Sequence, residues 1–237
     1  MNYRDTRSSY LNCEKRIFDG VGDYEFPKIN PFDMDIEGVS LIGFNYAMTE
    51  RHPEDKVCHF FLDDYQFERV WYNPDKYLSV LQRFKAVLSP DFSTYDDFPR
   101  AVSIFNHYRK QWCGAYWQEN GINVIPTVGW SNPDSYDYCF DGMPRDSLVC
   151  VSTSGVFSDK ESRERFLIGY RKAMDVLTPK KIIFYGKFFD DIEIPSNVEW
   201  CVGVNQRVLY KREYRKRKKE ELNGENNNTT QDIDIVG

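Results

Sequence analysis

Asp63 and Asp64 directly follow the apolar run "KVCHFFL", and Asp91 lies in "LSPDFS" at the end of the next apolar run. Carboxylates so placed act as general acids and bases. They also ligate hard cations such as Mg²⁺, which need few carboxylates when phosphate and water complete the shell. Side chains alternate along a strand, so only one of Asp63 and Asp64 can enter a shared pocket. Asp63 is taken as that residue, with Asp91 as its partner from the neighbouring unit. The plainer alternative is that both cap turns, where Asp is common. "VSTSG" places Ser152 and Thr153 ahead of Gly155. Small hydroxyls and exposed N–H groups at a strand-to-helix turn attract anions, and the same residues are favoured as ordinary N-caps. In "PTVGWS", Trp130 offers a face for a planar or sugar ring, or a lid over the core.

Several kinds of chemistry lack their signatures. No P-loop, GxGxxG fingerprint, HExxH, CxxC pair or GxSxG elbow occurs. His52, His59 and His107 show no metal-ligand spacing, and His59, inside an apolar run, reads as a core histidine. These absences argue against a conventional zinc hydrolase, serine hydrolase or P-loop ATPase.

The elements that must position these residues repeat one design, an apolar run stopped by small or polar residues. The runs are 38–47, 56–64, 86–88, 122–128, 148–152, 182–185 and 198–204, giving seven expected strands. Between them lie helical patterns. One takes Asn73 as its N-cap and Pro74 as its first residue, with Tyr77, Leu78, Leu81 and Phe84 on a face. Another follows Asp96 and Asp97, carries Val102, Phe105, Tyr108, Trp112 and Tyr116, and stops at Gly121. A third is read from a Ser158/Glu161 capping box through Phe166, Tyr170, Ala173 and Leu177 to Pro179. Alternating strands and helices define an α/β domain whose ligands bind beyond the carboxyl ends of the strands. Polar residues close nearly every strand rather than those at one switch point. That pattern favours an incomplete or modified β/α-barrel-like arrangement, with an open doubly wound sheet as the alternative.

With 237 residues, 41% of them apolar, the chain can bury one substantial core. The expected organisation is an irregular lead-in over 1–37, the α/β domain over 38–206, a basic helical stem over 207–222 and a disordered tail over 223–237. The net charge is −6, yet residues 207–221 hold eight Lys or Arg against three Glu. Lys211, Arg212, Arg215, Lys216, Arg217, Lys218 and Lys219 are therefore candidate contacts for nucleic acid, on an otherwise acidic body. No signal-peptide-like or membrane-spanning stretch is present, so a cytoplasmic protein without a membrane partner is expected. Six cysteines without paired spacing suggest buried thiols.

The strings "LSPDFS", "AYWQENGINVIPTVGW", "FDGMP" and "VSTSG", in this order, resemble the family named domain of unknown function 4417, found in bacteria, their phages and mobile elements. The similarity covers roughly residues 20 to 205. It implies a phage or mobile-element context and nucleotides or nucleic acid as partners, and it supplies no catalytic residue to transfer. The resulting expectation is a strand-end pocket for an anionic, nucleotide-like small molecule. Asp63 and Asp91 would act in acid/base work or cation binding, Ser152 and Thr153 as anion contacts, and Trp130 as a stacking wall. A non-enzymatic accessory protein, binding nucleic acid or a host protein through the basic stem, is the alternative.

Overall fold

The computed structural model describes residues 11–205 and, beyond them, Val208 and Arg215. The chain divides into two units, Met1–Val204 and Asn205–Gly237. Apart from Val208 and Arg215, the expected basic stem and tail lie outside the described residues.

In the lead-in, β1 (Gly20–Val21) and β2 (Phe26–Pro27) form a small antiparallel hairpin. The first unit then alternates strands and helices: β3 (Ser40–Gly43), β4 (Lys56–His59), α1 (Arg69–Tyr72), α2 (Pro74–Leu81), β5 (Ala86–Leu88), α3 (Arg100–Glu119), β6 (Val124–Ile125), β7 (Thr127–Val128), β8 (Leu148–Ser152), α4 (Lys160–Leu177), β9 (Lys181–Tyr185) and β10 (Glu199–Val202), with β11 (Val204–Asn205) at the boundary. Two sheets form, in the orders β11-β3-β4-β5-β6 and β10-β9-β8-β7. All pairings from β3 to β6 and from β7 to β10 are parallel.

The two sheets share their outer members. Pro126 separates β6 from β7 within one extended segment, which bonds on both sides: Ser89 N–H donates to Ile125 C=O and Cys150 N–H to Pro126 C=O. Gly203 separates β10 from β11 in the same manner, with Gly203 N–H donating to Phe184 C=O and Val204 N–H to Val39 C=O. The order of neighbours therefore closes into a ring of seven strand segments, as in a β/α barrel. An open sheet would leave two edges without such bonds. Gly203 suits its seam because a side chain there would strike Leu41.

Alternation along the strands sorts the core. Leu41, Val57, Ala86, Leu88, Ile125, Leu148, Cys150 and Ile183 form one buried cluster inside the ring. Their neighbours point outward. Ile42, Cys58, Val87 and Val124 pack against an aromatic layer that includes Trp71, Trp112 and Trp117, while Val149, Val151, Ile182 and Phe184 meet Phe166, Tyr170 and Ala173 of α4. The ring interior is thus a packed core, and side chains that do chemistry must project from its ends.

Two capping expectations need correction. Asn73 makes no side-chain cap on α2. The cap of α4 is Asp159, whose carboxylate accepts the Ser162 N–H at 2.7 Å, while Ser158 Oγ donates to Gly155 C=O instead of building a capping box with Glu161. The connection between β7 and β8 is tied to α3, because the His107 and Gln111 side chains donate to the Asp141 carbonyl at 2.9 and 3.1 Å. Among the described residues no helix is long and apolar enough to cross a membrane. All six cysteines are free thiols, four of them buried.

Candidate functional site

The site is built on two features of the strand ends. β5 runs out at Leu88 into Ser89, Pro90 and Asp91, and β7 runs out at Val128 into Gly129. Ser89 and Thr127 lock these neighbouring ends together: Thr127 N–H donates to Ser89 Oγ at 2.8 Å, and Thr127 Oγ1 donates to Ser89 C=O at 2.7 Å. Asp91 is thereby held next to Gly129, two residues beyond a fixed contact.

α3 supplies the other half. Its buried face is unusually polar, with Ser103, Asn106, His107, Arg109, Lys110 and Gln111 all below 10% exposure. Lys110 is only 6% exposed. A methyl group placed on Gly129 would lie 3.7 Å from Asp91 Oδ1 and 4.0 Å from Lys110 Nζ. One point in space therefore touches both the carboxylate and the amine, and only a glycine leaves it open. Asp91 is half-buried, and among the described residues neither its carboxylate nor the Lys110 amine makes a hydrogen bond or an ion pair within 4.0 Å.

The two charges perturb each other. Burial raises the Asp91 carboxyl to about 6; Lys110 opposes the rise and Asp64 adds to it. Burial also lowers the Lys110 amine from its ordinary value, partly countered by Asp91. A carboxyl that titrates near neutrality beside a weakened lysine cation is equipped for proton transfer.

Around this pair is a polar frame. Asp64 accepts from Ser93 N–H at 3.2 Å and from Ser93 Oγ at 2.8 Å. Ser93 C=O accepts from Asn106 Nδ2, and Asn106 Oδ1 accepts from Arg109, both at 2.5 Å. The Arg109 guanidinium rests 3.9 Å over the Phe92 ring. At the end of the neighbouring β4, His59 Nδ1 accepts the Phe61 N–H at 3.3 Å, which places its proton on Nε2. Burial drops His59 to about 3, and its ring packs against Tyr185 and Phe61, so it is a neutral core histidine.

The residues singled out from the sequence divide accordingly. Asp91 stands at the centre. Asp63 is exposed, precedes the single turn Asp64–Gln66 and accepts from Gln66 Nε2; it is the charge of Asp64 that reaches Asp91. Ser152 faces the ring interior by alternation from Cys150, and its Oγ accepts the Ser154 N–H. Thr153 is buried, its hydroxyl directed at the Tyr185 and Lys187 carbonyls at 3.1 and 2.9 Å. Trp130 packs on Phe166 and on the backbone of Gly169 in α4. No group of three or more His, Cys, Asp and Glu side chains fit to hold a metal ion occurs among the described residues. Sequence reasoning missed Lys110 and Gly129. At about 100° per residue Lys110 lies off the stripe of Phe105, Tyr108 and Trp112, so the aromatic pattern gave no signal for it.

No solved structure matches the chain significantly. Two relatives do. The "Gene 1 protein" of Mycobacterium phage L5 is 38% identical over 197 residues, covering 81% of this chain and 85% of its own. The "Gene 1 protein" of Mycobacterium phage D29 is 36% identical over 216 residues, covering 86% of this chain and 80% of its own. The model of the family described as Domain of unknown function (DUF4417) matches residues 18–199, from the first hairpin to the start of β10. The first six segments of the ring, polar α3 and the Asp91–Lys110 pair all fall within that match, and the chain belongs to this family of domain of unknown function proteins.

Proposed function

We propose that the strand-end face binds a small anionic molecule of nucleotide or sugar-phosphate type and acts on it by proton transfer. The observation that carries this reading is the Asp91–Lys110 pair, flanking Gly129 without a hydrogen bond from any described residue. Lys110 meets an electron-rich oxygen of the ligand and Asp91 a hydroxyl. The ligand supplies the hydrogen bonds that folding leaves unmade, which is where its affinity originates. Asp91, titrating near 6, can give or take a proton at neutral pH. Ser152, facing the ring interior, is the next contact in this reading, and Asp64 tunes Asp91 through its charge.

A thermal-shift panel of nucleoside phosphates and sugar phosphates on the full chain tests the proposal. A ligand at a hundredfold excess over its Kd adds about 2.7 kcal/mol. The stabilisation should disappear in both Asp91→Asn and Lys110→Met. A shift that survives both substitutions places the binding elsewhere and refutes this assignment.

A second reading, nucleic-acid contact through Lys211 to Lys219, is supported by the charge of residues 207–221. It requires salt-sensitive binding that is lost when the chain ends at Gln206.

A further inference from the structure

The geometry over Gly129 asks for more than a polar contact. Lys110 is only 6% exposed as a whole residue, and no described residue accepts a hydrogen bond from its amine. A lysine kept only for its charge would be paired, since breaking such a pair costs several kcal/mol. A lysine kept for its lone pair must instead remain unpaired. The place that a side-chain carbon of Gly129 would take lies 4.0 Å from Lys110 Nζ and 3.7 Å from Asp91 Oδ1. These are contact distances to a carbon, slightly longer than a near-attack separation, and apo sites commonly tighten when substrate enters.

We propose that Lys110 forms an imine with a carbonyl-bearing ligand whose carbonyl carbon occupies the opening over Gly129, with Asp91 as the proton donor and acceptor for the step. This rests on the strand-end reading above and narrows its ligand class to sugar phosphates and related acids that expose an aldehyde or ketone.

The neutral amine donates its electron pair to the carbonyl carbon, the C=O π electrons pass to oxygen, and a carbinolamine results. One nitrogen proton passes to the alkoxide to make the hydroxyl; the Asp91 carboxyl then protonates that hydroxyl, which departs as water as the C=N bond forms, and the Asp91 carboxylate takes back the second nitrogen proton. Amine and carbonyl thus give imine and water without oxidation or reduction. The lowered basicity of Lys110 raises the share of neutral amine, and the raised Asp91 keeps a proton available for the leaving oxygen. Asp64 and Arg109 complete the charged surroundings of the step, Asp64 raising Asp91 and pairing electrostatically with Arg109.

The test uses the full chain with glyceraldehyde 3-phosphate, and separately with pyruvate, in the presence of cyanoborohydride, which reduces an imine to a stable secondary amine. Peptide mapping by mass spectrometry then locates the adduct. Exposure alone would direct labelling to lysines such as Lys160, whose side chain is 90% exposed. The proposal expects Lys110 to be labelled first, no label there in Lys110→Arg, and a rate about a hundredfold lower in Asp91→Asn with folding checked by circular dichroism. Labelling confined to exposed lysines with both probes overturns it. Glycerol 3-phosphate, which has no carbonyl, separates the two levels. If it stabilises the protein through Asp91 and Lys110 and no adduct forms, the site stands and the imine falls. If it gives no stabilisation and no adduct forms, both fall.

Discussion

At the residue scale the account depends on how burial treats two charges. Asp91 is raised chiefly by burial, so the folded protein holds its proton up to about 6 while an unfolded carboxyl releases it near 3.8. Between those values the folded state binds more protons, and stability falls as pH rises through that window. Asp91→Asn removes the group that ionises at a cost. Its melting temperature should exceed that of the parent protein at pH 7, and the two should converge near pH 4. An equal loss at both pH values would mean that Asp91 is a structural hydrogen-bonding residue. Gly129→Ala adds a methyl group at ordinary contact distance from both partners. It should leave the melting temperature within a few degrees and weaken ligand binding by about tenfold, roughly 1.4 kcal/mol. Asp91 was legible in the sequence because a Pro-stiffened strand end is where a barrel places such residues. Lys110 was not, because its position in α3 gives the same periodicity whether its amine is solvated or folded inward. The choice between Asp63 and Asp64 rested on strand alternation, which the fold interrupts there. β4 ends at His59, and the turn over Asp64–Gln66 breaks strand alternation before either aspartate is reached.

Elements were read more securely than residues. Each of the seven strand segments lies where an apolar run meets polar residues, since a buried parallel strand must be apolar on both faces and its end must not be. The three longer helices also lie where the apolar period is helical. Helix starts were harder, because Ser158 and Asp159 are adjacent cap residues and only the backbone decides which accepts the N–H of the first turn. The short α1 has too few residues to show a period. The contact between α4 and the β7 end gives a test at this scale. Gly169 has no side chain because Trp130 lies directly against its backbone. Gly169→Ala should cost about 1–3 kcal/mol by overpacking. Trp130→Leu should be less damaging in that background than in the parent protein, as a double-mutant cycle followed by urea denaturation would read. Additive losses would show that the helix and the indole do not meet.

For the whole molecule, closure of the ring matters because it turns the strand ends into one face, with Asp91, Gly129 and Ser152 at its rim and an apolar cluster beneath. Gly203 and Val204 N–H groups donate to opposite neighbours, Phe184 and Val39. Both amides should therefore exchange slowly with solvent deuterium, whereas an open sheet would expose one of them as an edge. The family match ends at residue 199, so the relatives that share the ring's first six segments are expected to share the face as well. Closure was suggested by polar stops at nearly every strand, but the sequence contains no bond between first and last strands, and only the fold supplies it. The central claim is that Asp91 and Lys110 face one another across Gly129 on that face. It is tested most directly by an NMR titration of the Asp91 carboxyl carbon in the parent protein and in Lys110→Met. The account predicts a midpoint of about 6 that moves higher when the cation is removed. A midpoint in the ordinary carboxylate range, unmoved by the substitution, would contradict it.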